Sequence, residues 1–231
     1  MKRWPFVLSF LALFALAMGY VEAAVVVDLR QLQWIPGLPT DAPFQEDWLI
    51  AIEVGREAAT LVMLFTLGWL AGWDVQSRLG AAIFAFGLWD LAYYAWLRVF
   101  ISWPTSIGEW DLLFLIPVPW WAPVWAPALA ATLMLVVGGA LVVRSEQGIR
   151  VRLDRAIGLA GGTGAILALY AVIVPALGSL PGDLEPAASV PPVAFAWPVY
   201  LTGWGLVAVA SWRMLRVRGG AIQPHRVPRP R

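Results

Sequence analysis

Cysteine is absent from this chain, and histidine occurs once, as His225 in a Pro- and Arg-rich tail. The first absence excludes a disulfide scaffold and any thiolate-ligated metal. The second argues against haem, copper or zinc held by imidazole within the fold, and against the Glu-x-x-His pairs of a di-iron bundle. No cofactor is expected. Charge is also scarce: 13% of residues are Asp, Glu, Lys or Arg, against ~25% in an ordinary soluble domain. No repeat of solenoid period is visible, and the two halves do not resemble each other, so an inverted-repeat transporter has no support.

Apolar surface, by contrast, is abundant. Of 231 residues 60% are hydrophobic, with mean hydropathy +0.72. At ~20 apolar residues per bilayer crossing, that composition describes an all-α polytopic membrane protein. Uncharged runs predict spans at Trp4–Val27, Trp48–Trp73, Leu79–Val99, Val124–Val143, Ala156–Leu177 and Phe195–Leu215. Before the fourth span, Pro117, Pro119, Pro123 and Pro127 break the pattern, since each removes a backbone donor. The expectation there is a half-helix over Glu109–Ile116 followed by a Pro/Trp elbow. Residues 1–217 would form one transmembrane domain and 218–231 a flexible basic tail. The connection Gly178–Pro192 reads as an ordered, non-helical loop, and Asp28–Asp47 as a segment along the membrane surface.

Orientation follows from the basic residues. A cytoplasmic N-terminus places Lys2, Arg3, Arg78, Arg144, Arg150, Arg152, Arg155 and the six Arg from Arg213 to Arg231 on that side, thirteen of sixteen. Six spans then leave both termini in the cytoplasm of a bacterial-type inner membrane. Lys2, Arg3, the run Phe6–Met18 and small Ala23–Ala24 also have the layout of a secretory signal. The run continues through Val25–Val27, longer than the usual ~7–15-residue core, so retention as a span is expected.

Ionisable residues inside spans cost about 2.5–3.5 kcal/mol each on insertion scales and mark candidate sites. Glu22 lies late in the first span, Glu53, Arg56 and Glu57 early in the second, and Asp90 midway along the third. Glu53, Arg56 and Glu57 share a broad helical face. Asp90, Tyr94 and Arg98 follow an i, i+4, i+8 stripe with Tyr93 beside it, leading to Asp111 as cap of the half-helix. Four acids against two guanidiniums leave two negative charges in excess, so either a proton is retained or a cation enters. Structural Arg–carboxylate pairing is the plain alternative. Oxygen ligands alone would suit Ca²⁺, Mg²⁺ or Na⁺.

Fifteen Trp are present, nine of them near the expected outer face, three concentrated in the Pro117–Pro127 run. An interfacial belt accounts for scattered Trp. An elbow above the acids would make an aromatic-walled pocket for an organic cation. Gly158 and Gly162 read as a helix-packing face. Three functions result: binding of protons or a cationic solute for transport or sensing, a non-catalytic subunit docking partner membrane subunits, or a lipid enzyme using Asp90 or Glu57 as general base. The last lacks a nucleophile, so an enzyme is the less favoured class. Membrane lipids are partners in every case, anionic headgroups suit the basic loops, and nucleic acid is not implied.

Overall fold

The computed structural model describes residues 3–32, 46–177 and 194–216. Most of the Asp28–Asp47 connection, the Gly178–Pro192 loop and the basic tail with His225 lie outside the described residues. The described chain is mostly helical: α1 (Trp4–Leu32), α2 (Glu46–Ala71), α3 (Val75–Ile101), α4 (Trp125–Glu146), α5 (Arg155–Leu177) and α6 (Trp197–Arg216). Five of these, α1 to α5, contain stretches long and apolar enough to cross a membrane.

The third helix is the centre of the bundle. α1, α2 and α4 all pack on α3, whereas α5 and α6 form a pair of their own. Leu11, Ala15 and Met18 of α1, Leu64 of α2, Ala81, Ala85 and Trp89 of α3 and Val142 of α4 make one core. Close helix contact rests on glycine. A Cβ at Gly80 of α3 would stand 2.8 Å from Leu141 Cβ and 2.9 Å from the Gly138 carbonyl of α4. At Gly203 of α6 it would stand 2.6 Å from the Gly164 carbonyl of α5. Such backbone approaches are how helices associate where lipid removes the hydrophobic drive between them. The α5 contact corrects the expectation from sequence. Gly158 and Gly162 have nothing within 4 Å of a built Cβ, and the packing face is formed by Gly164 with Gly161, which reaches Ala210.

The stretch before α4 is also corrected. Instead of a half-helix over Glu109–Ile116, Trp110–Phe114 is a strand, β1, paired antiparallel with β2 (Trp120–Pro123). Trp110 lies opposite Pro123, Asp111 opposite Ala122 and Leu112 opposite Trp121, with a bulge between Leu112 and Phe114. Aromatic residues favour strands, and Pro117 and Pro119 fall in the turn, where no ladder donor is needed. The segment leading into the hairpin is tied to the start of α4 by Val124 N–H to Glu109 C=O (2.9 Å) and Trp125 N–H to Ile107 C=O (3.0 Å). The hairpin packs on α4 and α5, bridging the two helix groups.

At the opposite end, Asp74 caps α3 in a reciprocal box with Ser77. Its carboxylate also accepts from Ser145 Oγ (2.6 Å) and pairs with Arg150 (2.7 Å). Gln76 ties α3 to the Leu141 and Ile149 carbonyls and the Val151 amide. Burial opposes ionisation of Asp74, but the Ser145, Ser77 and Arg150 donors together hold its carboxyl below the usual aspartate range.

Candidate functional site

The polar residues picked out along the chain divide into three groups. The first joins α1 to α2. Arg56 makes a two-pronged contact with Glu53, one turn away on its own helix, through Nε (2.9 Å) and Nη2. Its Nη1 pairs with Glu22 of α1. Thr60, only 2% exposed, directs its hydroxyl to the other Glu22 oxygen at 3.5 Å. Two carboxylates thus share one guanidinium, the geometry for which arginine is suited. Glu57 and Tyr93 both stand within electrostatic reach of Arg56, and Glu57 also of Glu53.

Glu57 takes its hydrogen bonds from a different element. Its carboxylate, 6% exposed, accepts from the Leu115 amide through both oxygens (3.0 and 2.9 Å) and also from the Ile116 amide. These are main-chain donors at the hairpin turn. An isolated hairpin is marginal on its own. Glu57 therefore anchors the hairpin to α2, a role that neither composition nor spacing reveals.

The third group lies between α3 and the hairpin. Tyr94, 8% exposed, donates to Asp111 Oδ2 at 2.9 Å; Asp111 is itself buried on β1 rather than capping a helix. Asp90, one turn before Tyr94, interacts electrostatically with Asp111 and with Tyr200 of α6. Asp90 itself is half-buried. Asp90 has no hydrogen bond or ion pair among the described residues. The Tyr200 hydroxyl donates to the Ala126 carbonyl at 2.6 Å.

Two expected members fall elsewhere. Arg98 is exposed and donates to the Ser102 and Pro104 carbonyls, satisfying the C-terminal end of α3 beside left-handed Ser102. It does not balance Asp90. Its place on the stripe is in the last turn of the helix, where free carbonyls compete for it. The aromatic pocket is also separate from the acids. A groove of about 450 Å³ is lined by Trp110, Trp125, Phe195 and Trp197, with Trp125 and Trp197 stacked at 3.7 Å. None of the acids lines it. Glu109, nearby, is committed to the Thr105 hydroxyl and to the Thr105 and Ser106 amides, which hold its carboxyl below the usual range.

Sequence reasoning missed Thr60, Tyr200 and the hairpin amides. Two aromatic-rich runs flanking Ile-Pro-Val-Pro are a hairpin signal that could have been read. Thr60 lies one turn beyond Arg56 and carried no charge to flag it. Among the described residues no group of three or more His, Asp or Glu is arranged to hold a metal ion. No family model matches the chain, and comparison with curated proteins and with solved structures returns no match.

Proposed function

We propose that this chain is a six-span protein of a bacterial-type inner membrane, with both termini cytoplasmic, that exchanges a proton or a small cation at Asp90 for transport or sensing. Support for the sixth span comes from α6, which runs antiparallel to α5 through the Gly164–Gly203 contact and is ~30 Å long. The basic-residue distribution supports the orientation.

The functional reading is carried by one observation: Asp90 lies midway along α3, half-buried and within electrostatic reach of a second carboxylate at Asp111, with no hydrogen bond or ion pair of its own among the described residues. An intramembrane carboxylate in that position is costly and has to be compensated by a proton, a cation or water. Asp111 and Tyr94 complete the site, with Tyr94 as hydrogen-bond donor and Asp111 as second acceptor. The Glu22–Arg56–Glu53 set holds α1 against α2 and is assigned a structural part, as is Glu57. Separation of the Trp-lined groove from the acids favours a proton or small ion over a bulky organic cation. Glu57, occupied by hairpin amides, is a poor general base, which counts against the lipid-enzyme reading.

The test is thermal unfolding of the detergent-purified protein across pH and with added Na⁺ or Ca²⁺, for wild type and Asp90→Asn. The site reading expects a pH- or cation-dependent midpoint in wild type that Asp90→Asn removes. Identical dependence in both proteins refutes it. A second reading, that the chain is a subunit docking a partner helix, is favoured by the unfilled Gly158/Gly162 face of α5. Stoichiometric co-purification lost in Gly162→Leu would establish that one.

A further inference from the structure

Asp90 divides α3 into two unlike halves. Towards the hairpin the neighbourhood is polar. Tyr94 stands within electrostatic reach of both Asp90 and Asp111 and donates to Asp111 Oδ2. Its ring lies 6.2 Å from that of Trp103, whose indole donates to the Glu109 carboxylate at the hairpin end. The titratable groups within electrostatic reach of Asp90 are Tyr94, Asp111 and Tyr200. α4 has none from Trp125 to Val143, and Glu22, Glu53, Arg56 and Glu57 are held by one another and by the hairpin.

Towards the Asp74 cap, sixteen residues or ~24 Å away along α3, the chemistry changes. Leu79–Trp89 of α3, Leu133–Val143 of α4 and Gly203–Ala210 of α6 hold no acid, base, amide or hydroxyl. Over the corresponding parts of α1, α2 and α5 the hydroxyls are Ser9, Thr66 and Thr163, all exposed. Packing closes the same region. A Cβ at Gly87 would stand 2.4 Å from the Ala131 carbonyl, one at Gly138 2.4 Å from the Phe84 nitrogen, and one at Gly68 of α2 2.5 Å from Ala82 Cβ. Leu11, Ala15, Leu64, Ala81, Ala85 and Val142 fill the interior between these contacts. A groove of about 730 Å³ between α1 and α2 in this half, with Arg3 at one end, is walled by Phe6, Phe10, Phe14, Leu67 and Ala71. A buried water needs two to four polar partners, and apolar spaces stay dry. An ion entering such a region would lose its hydration with nothing in exchange.

We propose, building on the Asp90 reading above, that Asp90 is reached from the hairpin side alone, past Tyr94 and Asp111, and that the half of the bundle towards Asp74 is closed to it. With the orientation given by the basic residues, the open side is the exterior. A site open to one compartment responds to the proton or cation level there and carries nothing across. Sensing, and not transport, is then its use.

Sealed proteoliposomes of the full chain carrying Ile107→Cys test it, in a preparation whose uneven orientation is scored with an impermeant maleimide. The outside pH is stepped while the carboxyl infrared band is followed, as the difference between chains without and with Asp90→Asn. The fraction of this band that responds at once should equal the fraction labelled. The rest should respond only after nigericin, with equal K⁺ on both sides, brings the lumen to the outside pH. A pH gradient imposed across the same vesicles should decay at one rate in both chains. Response of the whole band before nigericin, response of the unlabelled fraction instead, or a decay that Asp90→Asn slows would overturn the one-sided site while leaving Asp90 an exchanging group. A band silent even after nigericin would overturn the Asp90 reading itself.

Discussion

Glu57 and Asp90 are both acids on apolar helices, but their neighbours differ. Glu57 receives amide donors from the hairpin turn, whereas Asp90 stands within electrostatic reach of another acid. Hydrogen bonds to a charged group are worth about 1.5–3 kcal/mol, so Glu57→Gln should destabilise the protein by that order in thermal unfolding. Asp90→Asn should instead raise the midpoint by a few degrees, because it relieves a carboxylate that the fold does not satisfy. Asp74 gives a pH signature at the other end of the bundle. Its carboxyl is held below the ordinary aspartate value of 3.8, so its stabilisation is full above that pH and disappears as pH falls through the lower folded value. The stability gap between wild type and Asp74→Asn should hence be constant at pH 5–7, on the order of 1 kcal/mol, and shrink below about 3.8. At this scale the sequence was informative only over short range. Glu53–Arg56 follows from i, i+3 spacing, but the partners of Glu57 lie 58 residues away on an element the pattern did not reveal.

Helices were legible because long apolar runs have one solution in lipid. The hairpin was not, because prolines were read as helix interruptions when they mark a turn between two aromatic strands. Its irregular backbone is tolerated since Glu57, Glu109 and Ile107 supply partners from outside the ladder. Helix packing was half legible: glycine clusters signal close approach, but which glycine faces the neighbour depends on rotation about the helix axis. Gly203→Leu should force α5 and α6 apart and cost about 1–3 kcal/mol, the usual penalty for overpacking. Gly158→Leu, with no neighbour to displace, should leave the thermal midpoint of the isolated protein unchanged.

Across the whole molecule, one end gathers the start of α1, the Asp74 turn and the end of α4, while the hairpin and the starts of α4 and α6 lie at the other. With no native cysteine, single-cysteine labelling in intact cells reads the topology without background. Ile107→Cys should react with an impermeant maleimide, and Gln147→Cys only after permeabilisation. The reverse pattern would invert the orientation. By hydrogen-bond partner the acids divide into a brace between α1 and α2, an anchor for the hairpin that stays within electrostatic reach of that brace, and Asp90 with Asp111. The proposed function rests on Asp90 and Asp111. Its most direct test is infrared titration of the carboxyl stretch in lipid nanodiscs, taken as wild type minus Asp90→Asn. The predicted difference is a carboxyl band that changes with pH or added cation and is missing from the variant. Superimposable spectra over the whole range would contradict a proton- or cation-exchanging Asp90.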